Sequence, residues 1–366
     1  MRLLFVYNGL LGPLVRSEGV SLIDDLITRG TSHPGQTNYL ILLQDLKDKF
    51  GYDITVVVDK YKEGEYYFKI AGVDQLKTYD LGSAFDAVLI YKVGGVAFVR
   101  AHELWGSLKS IGIRASWHDA MRLWDAAPTG FFTSILWGTP EIADLSRDMF
   151  PGVTQGCSPH GVNFINKPVI ESVVPKGLYI GRLPEPYLRD VLAAAEVSPV
   201  DAYALWLPKT SHSGKDDIWN FRPGHYAPGD VEEAQKRLPP QVTLHAAVNI
   251  GAMANTLSSY SFGICPATTT YRAQVQSASK FYDYLGLGVP VLLADNTPEA
   301  KVLTSAPVWL GALYHGNDPL RIRRAIGEIM AKLSQDGLLV KRNIMEYAHK
   351  EHTYFERTRL FHALLS

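Results

Sequence analysis

Cysteine is scarce in this chain. Its two residues, Cys157 and Cys265, lie far apart and lack the spacing of a metal site or redox pair. That excludes a disulfide framework as the basis of the fold and makes a reducing, cytoplasmic setting the expectation. No apolar run approaches the roughly 18 residues that a membrane span requires, so any membrane contact would be peripheral. A charge surplus is missing too: 36 Lys and Arg stand against 37 Asp and Glu, which argues against a strongly basic nucleic-acid binder. No Asp-x-Asp pair occurs anywhere, so a common way of presenting two carboxylates to a divalent cation is absent, and no metal site is expected. There is also no short-period repeat and no low-complexity tract.

What is present is alternation. The chain has 366 residues, 46% of them hydrophobic, which is long for one core and suggests two domains. "MRLLFVYNGLLGPLV" reads as a first buried strand and loop rather than a leader peptide. "TNYLILLQDLKDKF" then reads as a helix, "DITVVVD" and "FDAVLIYK" as strands, "HELWGSLKS" as a helix, and "GIRASW" and "FFTSILWG" as strands. Such alternation predicts a parallel sheet with helices on both faces. The first helix is expected near Thr37 or Asn38, with Gly35 and Gln36 just before it.

Between 151 and 175 the pattern loosens into a Pro- and Gly-rich crossover. A second series follows: "GLYIGRL", "YLRDVLAAAEV", "AYALWLP", "VTLHAAV", "MANTLSSY", "SFGICPA". The expected class is α/β, with two doubly wound, Rossmann-like domains facing an interdomain cleft and ligands outside the carboxyl ends of the strands. Residues 209–230 form a long polar insertion carrying Trp219, Phe221 and Tyr226; loops of that length are functional or mobile. The tail reads as helices.

One stretch concentrates chemistry. In "SASKFYDYLGLGVPVLLADNTPE", Lys280 and Asp283 stand three apart on one helix face, Gly286 and Gly288 close the helix, and Pro290 bars its return. "VPVLLAD" then reads as a strand buried on both faces. The spacing alone fits a solvated ion pair as well as a binding site.

Four motifs, in order, resemble the GT-B fold glycosyltransferases of the "glycosyl transferases group 1" type. "PHGVNFINKP" resembles the family's crossover motif, "GLYIGRL" its Gly-Arg-Leu strand end, and "VTLHAAVNIGAMANTLSSYSFGICPA" its strand-helix-strand-Pro unit. "SKFYDYLGLGVPVL" resembles its Lys-Leu-x-Glu-Tyr-Leu signature. The resemblance covers about residues 155 to 300, and the last motif is the most specific. It implies that Lys280 and Arg182 face the pyrophosphate of a nucleotide-sugar donor and that Asp283 takes the ribose hydroxyls. Gly181, Tyr282 and His245 complete the implied donor set. Tyr187 stands where the family often has a second lysine, His245 where a glycine is frequent, and Asn163 where an aspartate is usual. The paired-glutamate pattern is only partly kept, so the stereochemical outcome is left open.

On this resemblance, 1–165 would be the acceptor domain, 166–345 the donor domain, and 346–366 a helix packing back on the first. In "GIRASWHDAMRLW", Asp119, or failing it His118, would act as base toward the acceptor, or the pair would cap the next helix. The implied activity is metal-independent sugar transfer from a nucleotide sugar, a UDP-sugar above others, with no cofactor. The acceptor would be a glycan, a lipid-linked glycan or a small molecule. A hydroxymethylated DNA base, as in phage enzymes of this fold, is a second acceptor class, although residues 1–165 hold slightly fewer basic than acidic residues. The same resemblance also admits a UDP-sugar epimerase or a non-catalytic nucleotide-sugar binder.

Overall fold

The computed structural model describes residues 1–6, 14–22, 24–25, 34–91, 100–118, 130–162, 168–209, 217–222, 224–248, 250–266, 275–316 and 318–366. The chain divides into two compact units. One comprises Met1–His160, Val275–Ser277 and Tyr354–Ser366, the other Gly161–Gln274 and Ala278–Thr353. The helices of seven or more described residues are α1 (Pro34–Phe50), α2 (Pro140–Ser146), α3 (Glu185–Ala195), α4 (Ile250–Leu257), α5 (Ser279–Gly286), α6 (Glu299–Ser305), α7 (Pro319–Glu351) and α8 (Tyr354–Leu365). Among the described residues no helix is long and apolar enough to cross a membrane.

The first unit is built on β1 (Arg2–Val6), β2 (Asp53–Val58), β3 (Lys69–Gly72), β4 (Ala87–Tyr91), β5 (Ile113–His118), β6 (Ser134–Trp137) and β7 (Thr154–Cys157). They form one parallel sheet in the order β3-β2-β1-β4-β5-β6-β7. Successive side chains of β1 serve opposite faces: Leu3 and Phe5 join the core that contains Leu43 and Leu46 of α1, Leu4 and Val6 the other. Burial on both faces is why these strands read as continuous apolar runs.

Helix α1 starts at Pro34, so Gly35 and Gln36 lie inside its first turn, earlier than expected. Proline suits that position because its fixed φ matches the helix and its missing N–H would be unpaired there. Strand β7 lies within the stretch expected to be irregular. It extends because its ladder to β6, from Ser134↔Thr154 to Trp137↔Cys157, satisfies the backbone. Helix α8 buries Phe361 and Leu365 in the core shared with α1. Its Arg357 donates to the carbonyls of Pro159 (2.9 Å) and His160 (3.1 Å).

The second unit has β8 (Val174–Arg182), β9 (Val200–Pro208), β10 (Ile218–Asn220), β11 (Val242–Ala246), β12 (Tyr260–Cys265), β13 (Val291–Ala294) and β14 (Gly311–Tyr314). The order is β10-β9-β8-β12-β13-β14, and β11 also pairs with β9. All pairings are parallel except β10 with β9. Strand β11 runs beside Val200–Ala204 and β10 beside Trp206–Pro208, so the two share one edge of β9. The insertion is therefore partly a hairpin. The first part of the tail, α7, is two helical stretches that meet at a kink at Asp336, where φ is −157° and ψ 76°.

The turn that closes α5 fixes where β13 begins. Leu287 N donates to Asp283 O, Gly288 N to Leu285 O and Val289 N to Tyr284 O, and Gly288 adopts φ 69°. A Cβ on Gly288 would stand 2.6 Å from both the Lys341 carbonyl and Ile170 Cδ1. Gly288→Ala is expected to lower unfolding free energy by roughly 1–3 kcal/mol, from the left-handed backbone plus the contact with a carbonyl that cannot retreat. Urea denaturation reads this as a lower midpoint at unchanged slope. A loss under about 0.5 kcal/mol would refute it.

Candidate functional site

In the second sheet the strand order reverses between β8 and β12. From β8 the chain moves through α3 to β9 on one side; from β12 it moves through α5 to β13 on the other. Ligands of open α/β sheets bind outside the carboxyl ends of the strands at such a reversal.

The ladder between β8 and β12 has its last paired residues at Leu178↔Gly263. Beyond it the Tyr284 hydroxyl spans the two strands, accepting from Ile180 N (2.9 Å) and donating to Ile264 O (3.3 Å). A Cβ at residue 263 would fall within the Tyr284 ring, so glycine there lets α5 lie close on the sheet.

Lys280 precedes Tyr284 by one helical turn and so shares its sheet-facing side. Its Nζ donates to the Tyr179 hydroxyl at 3.0 Å and stands 4.4 Å and 5.0 Å from the ring centroids of Tyr179 and Tyr187. The Tyr179 hydroxyl in turn donates to the carbonyl of Arg182. Gly181, at φ 113°, lies beneath the ammonium; a Cβ there would be 3.8 Å from Nζ. Burial brings the Lys280 pKa down to about 8, with Cys265 and Asp283 pulling it back up and Arg182 pushing it down further. The site is thus a partly dehydrated cation at a strand-order reversal, flanked by an exposed arginine at the end of β8.

The structure brings Gly181, Arg182, Lys280 and Asp283 together, though Asp283 is 5% exposed and nearly sealed. It does not bring Tyr282 or His245 to Lys280. Tyr282 is 200° around the helix from Lys280 at about 100° per residue, and its ring packs on Phe281 and His352. His245 stacks on Tyr203 with centroids 4.5 Å apart, its Nε2 3.8 Å from Asp201, toward the start of β9. Nor is the N-terminus of α5 open, because buried Glu299 of α6 accepts from Ala278 N at 2.7 Å.

In the first unit, His118 ends β5, is 2% exposed, and packs its ring near Trp137 and Phe132. Asp119 and Asn163 lie outside the described residues. Sequence reasoning missed Tyr179 and Tyr284 as parts of the site, and it noted Tyr187 only as a departure at the position of the family's second lysine. The detectable signal was Tyr284, four residues after Lys280 on the same helix face.

No protein-family model matches the chain, and no curated protein matches it in sequence. Solved structures do. A glycosyltransferase from Rickettsia africae ESF-5 is 9% identical over 100% of this chain and 97% of its own, with a TM-score of 0.63. Anabaena Alr3699/HepE, solved in complex with UDP and glucose, is 10% identical over 100% and 99%, with a TM-score of 0.60. AviGT4, a glycosyltransferase involved in avilamycin A biosynthesis, is 13% identical over 100% and 96%, with a TM-score of 0.57. The chain has the GT-B glycosyltransferase fold, with its two Rossmann-like α/β units.

The position of Lys280 has a measurable consequence. A lysine whose pKa is about 8 attracts an anion while protonated and stops doing so as pH rises through that value. Sulfate, whose charge is constant over this range, is expected to raise the melting temperature at pH 7 and progressively less from about pH 8 to 9.5. Lys280→Arg should keep the sulfate effect at high pH. A sulfate effect identical at about pH 7 and 9.5 in the parent would show that this ammonium does not act on the anion.

Proposed function

We propose that this GT-B protein is a glycosyltransferase that moves a sugar from a nucleotide-sugar donor to an acceptor hydroxyl. The observation that carries this reading is the Lys280 ammonium, half-buried at the β8/β12 reversal beside Gly181 and Arg182. Such a cation is matched to an anionic ligand whose charge grows during reaction. In the proposed step the acceptor oxygen bonds to the anomeric carbon while the bond from that carbon to the phosphate oxygen breaks. The nucleoside diphosphate leaves with the electron pair, its added charge offset by Lys280 and Arg182. The hydroxyl proton goes to a base.

Asp283 is assigned to the ribose hydroxyls. Of the base candidates, Asp119 is preferred because His118 is almost sealed from solvent. A UDP-sugar is the favoured donor, in keeping with the complex of HepE with UDP and glucose. The acceptor class is a glycan, a lipid-linked glycan or a small molecule. Metal independence rests on the absence of any Asp-x-Asp from the sequence and on the two cations.

The direct test is incubation with a panel of nucleotide sugars and candidate acceptors, following free nucleoside diphosphate and glycosylated product together. Conversion of the nucleotide sugar to its epimer, with neither glycosylated acceptor nor net release of nucleotide, would instead identify an epimerase. Lys280→Ala is expected to lower turnover more than tenfold, since a charge-assisted contact contributes about 1.5–3 kcal/mol. Activity should survive EDTA; loss in EDTA restored by manganese would overturn the metal-free step.

Asp119→Asn separates base from cap. Loss of a general base costs about 10²- to 10⁴-fold in rate, whereas loss of a cap costs about 1 kcal/mol of stability. The variant should fold, bind the nucleotide like the parent and lose most transfer. Turnover within about threefold of the parent would remove Asp119 from the mechanism.

A further inference from the structure

The β9–β10 hairpin leads into an arginine, Arg222, that lies within the field of Arg182. Trp206 of β9 pairs with Arg182 of β8 on one side and with Asn220 of β10 on the other, so the carboxyl end of β8 and the return strand flank one residue. The chain at Phe221 is pinned on both sides. Its N–H donates to Leu205 O (2.9 Å) and its carbonyl accepts from Ala247 N (3.1 Å), just past the end of β11. The Phe221 ring is fully buried, and Trp219 packs on the same core beneath the Arg237 guanidinium, 5.4 Å from its ring centroid.

Arg222 is the next residue, its backbone N–H held by Asn220 Oδ1 at 3.3 Å. Its side chain is half-buried, and its Nε is shielded from solvent with no hydrogen-bond partner among the described residues. Burial, and then the Arg182 charge, lower its pKa. Arg182 acts on Lys280 in the same sense. Arg182 therefore stands within the field of each of the other two cations, Arg222 and Lys280.

Like charges gathered in one place disfavour one another, and desolvation disfavours Arg222 and Lys280, so the arrangement is stabilised by an anion. A guanidinium with a free Nε–H presents the planar fork that matches two phosphate oxygens. We propose that Arg222 ligates the diphosphate of the donor, making the hairpin the third arm of the phosphate site beside Arg182 and Lys280. This rests on the donor reading above and adds to it a residue from outside the resembling motifs. The role of the hairpin is then to bring a fixed positive charge to a leaving group.

The test is calorimetric titration of the full chain with UDP, GDP, ADP and dTDP, followed by the monophosphate and nucleoside of whichever diphosphate binds. Lys280→Ala serves as the reference variant. Arg222→Gln is expected to weaken the diphosphate about tenfold and leave the nucleoside unchanged, with Arg222→Lys between the two. Equal affinity for the diphosphate in parent and Arg222→Gln, while Lys280→Ala is weakened, would overturn the role of Arg222 alone. Equal losses for diphosphate and nucleoside would do the same, by assigning the residue to the base or to hairpin packing. If the parent binds no diphosphate, the donor reading itself falls. Should Arg222→Gln fail to fold, Arg222→Lys decides, with at least about threefold weakening of the diphosphate expected and parental affinity overturning the proposal.

Discussion

The Tyr284 hydroxyl sits between two strands that have stopped pairing with each other. By accepting from Ile180 N and donating to Ile264 O, it replaces the ladder at the point where β8 and β12 separate. Those backbone groups would otherwise need water, and a solvated gap there would leave α5 without a fixed height above the sheet. Because Lys280 lies one turn earlier on the same face, the bridge sets the depth of the ammonium. The Tyr179 hydroxyl then orients it and Gly181 makes room. The site follows from a gap in the sheet and from the side chain that closes it.

Depth decides the chemistry. A fully solvated lysine would stay protonated well above neutral pH but would be screened, and its attraction for an anion would be weak. Removing water strengthens the attraction and weakens the charge, and a pKa of about 8 leaves the ammonium protonated near neutral pH. Arg182, exposed at the end of β8, adds the long-range part of the field. One cation thus gives strength at contact and the other reach.

Much of this was readable in the sequence because it depends on local pattern. Strands buried on both faces announce themselves as apolar runs, and the helix of Lys280 and Asp283 is bounded by glycines that match its observed end. Strand β7 was not readable, since its residues are unremarkable until β6 lies beside them. The same holds for β10, whose "IWN" becomes a strand only against Trp206–Pro208. Arg222 escaped because the cation whose field it shares, Arg182, comes from β8, well before it in the chain. Motif position points to His245 and Tyr282 as donor contacts, but position alone does not tell which way a side chain turns. His245 turned along the sheet to Asp201, and Tyr282 turned into the core.

Gly263 and Tyr284 are, in effect, one inherited character. Any side chain at 263 would occupy the space of the ring at 284, and a smaller residue at 284 would leave both the hollow over 263 and the strand gap unfilled. Neither position can drift alone without loosening the other. Among descendants of this chain the two should be kept together or replaced together, and a lineage that exchanged both would have to find another way to hold its lysine.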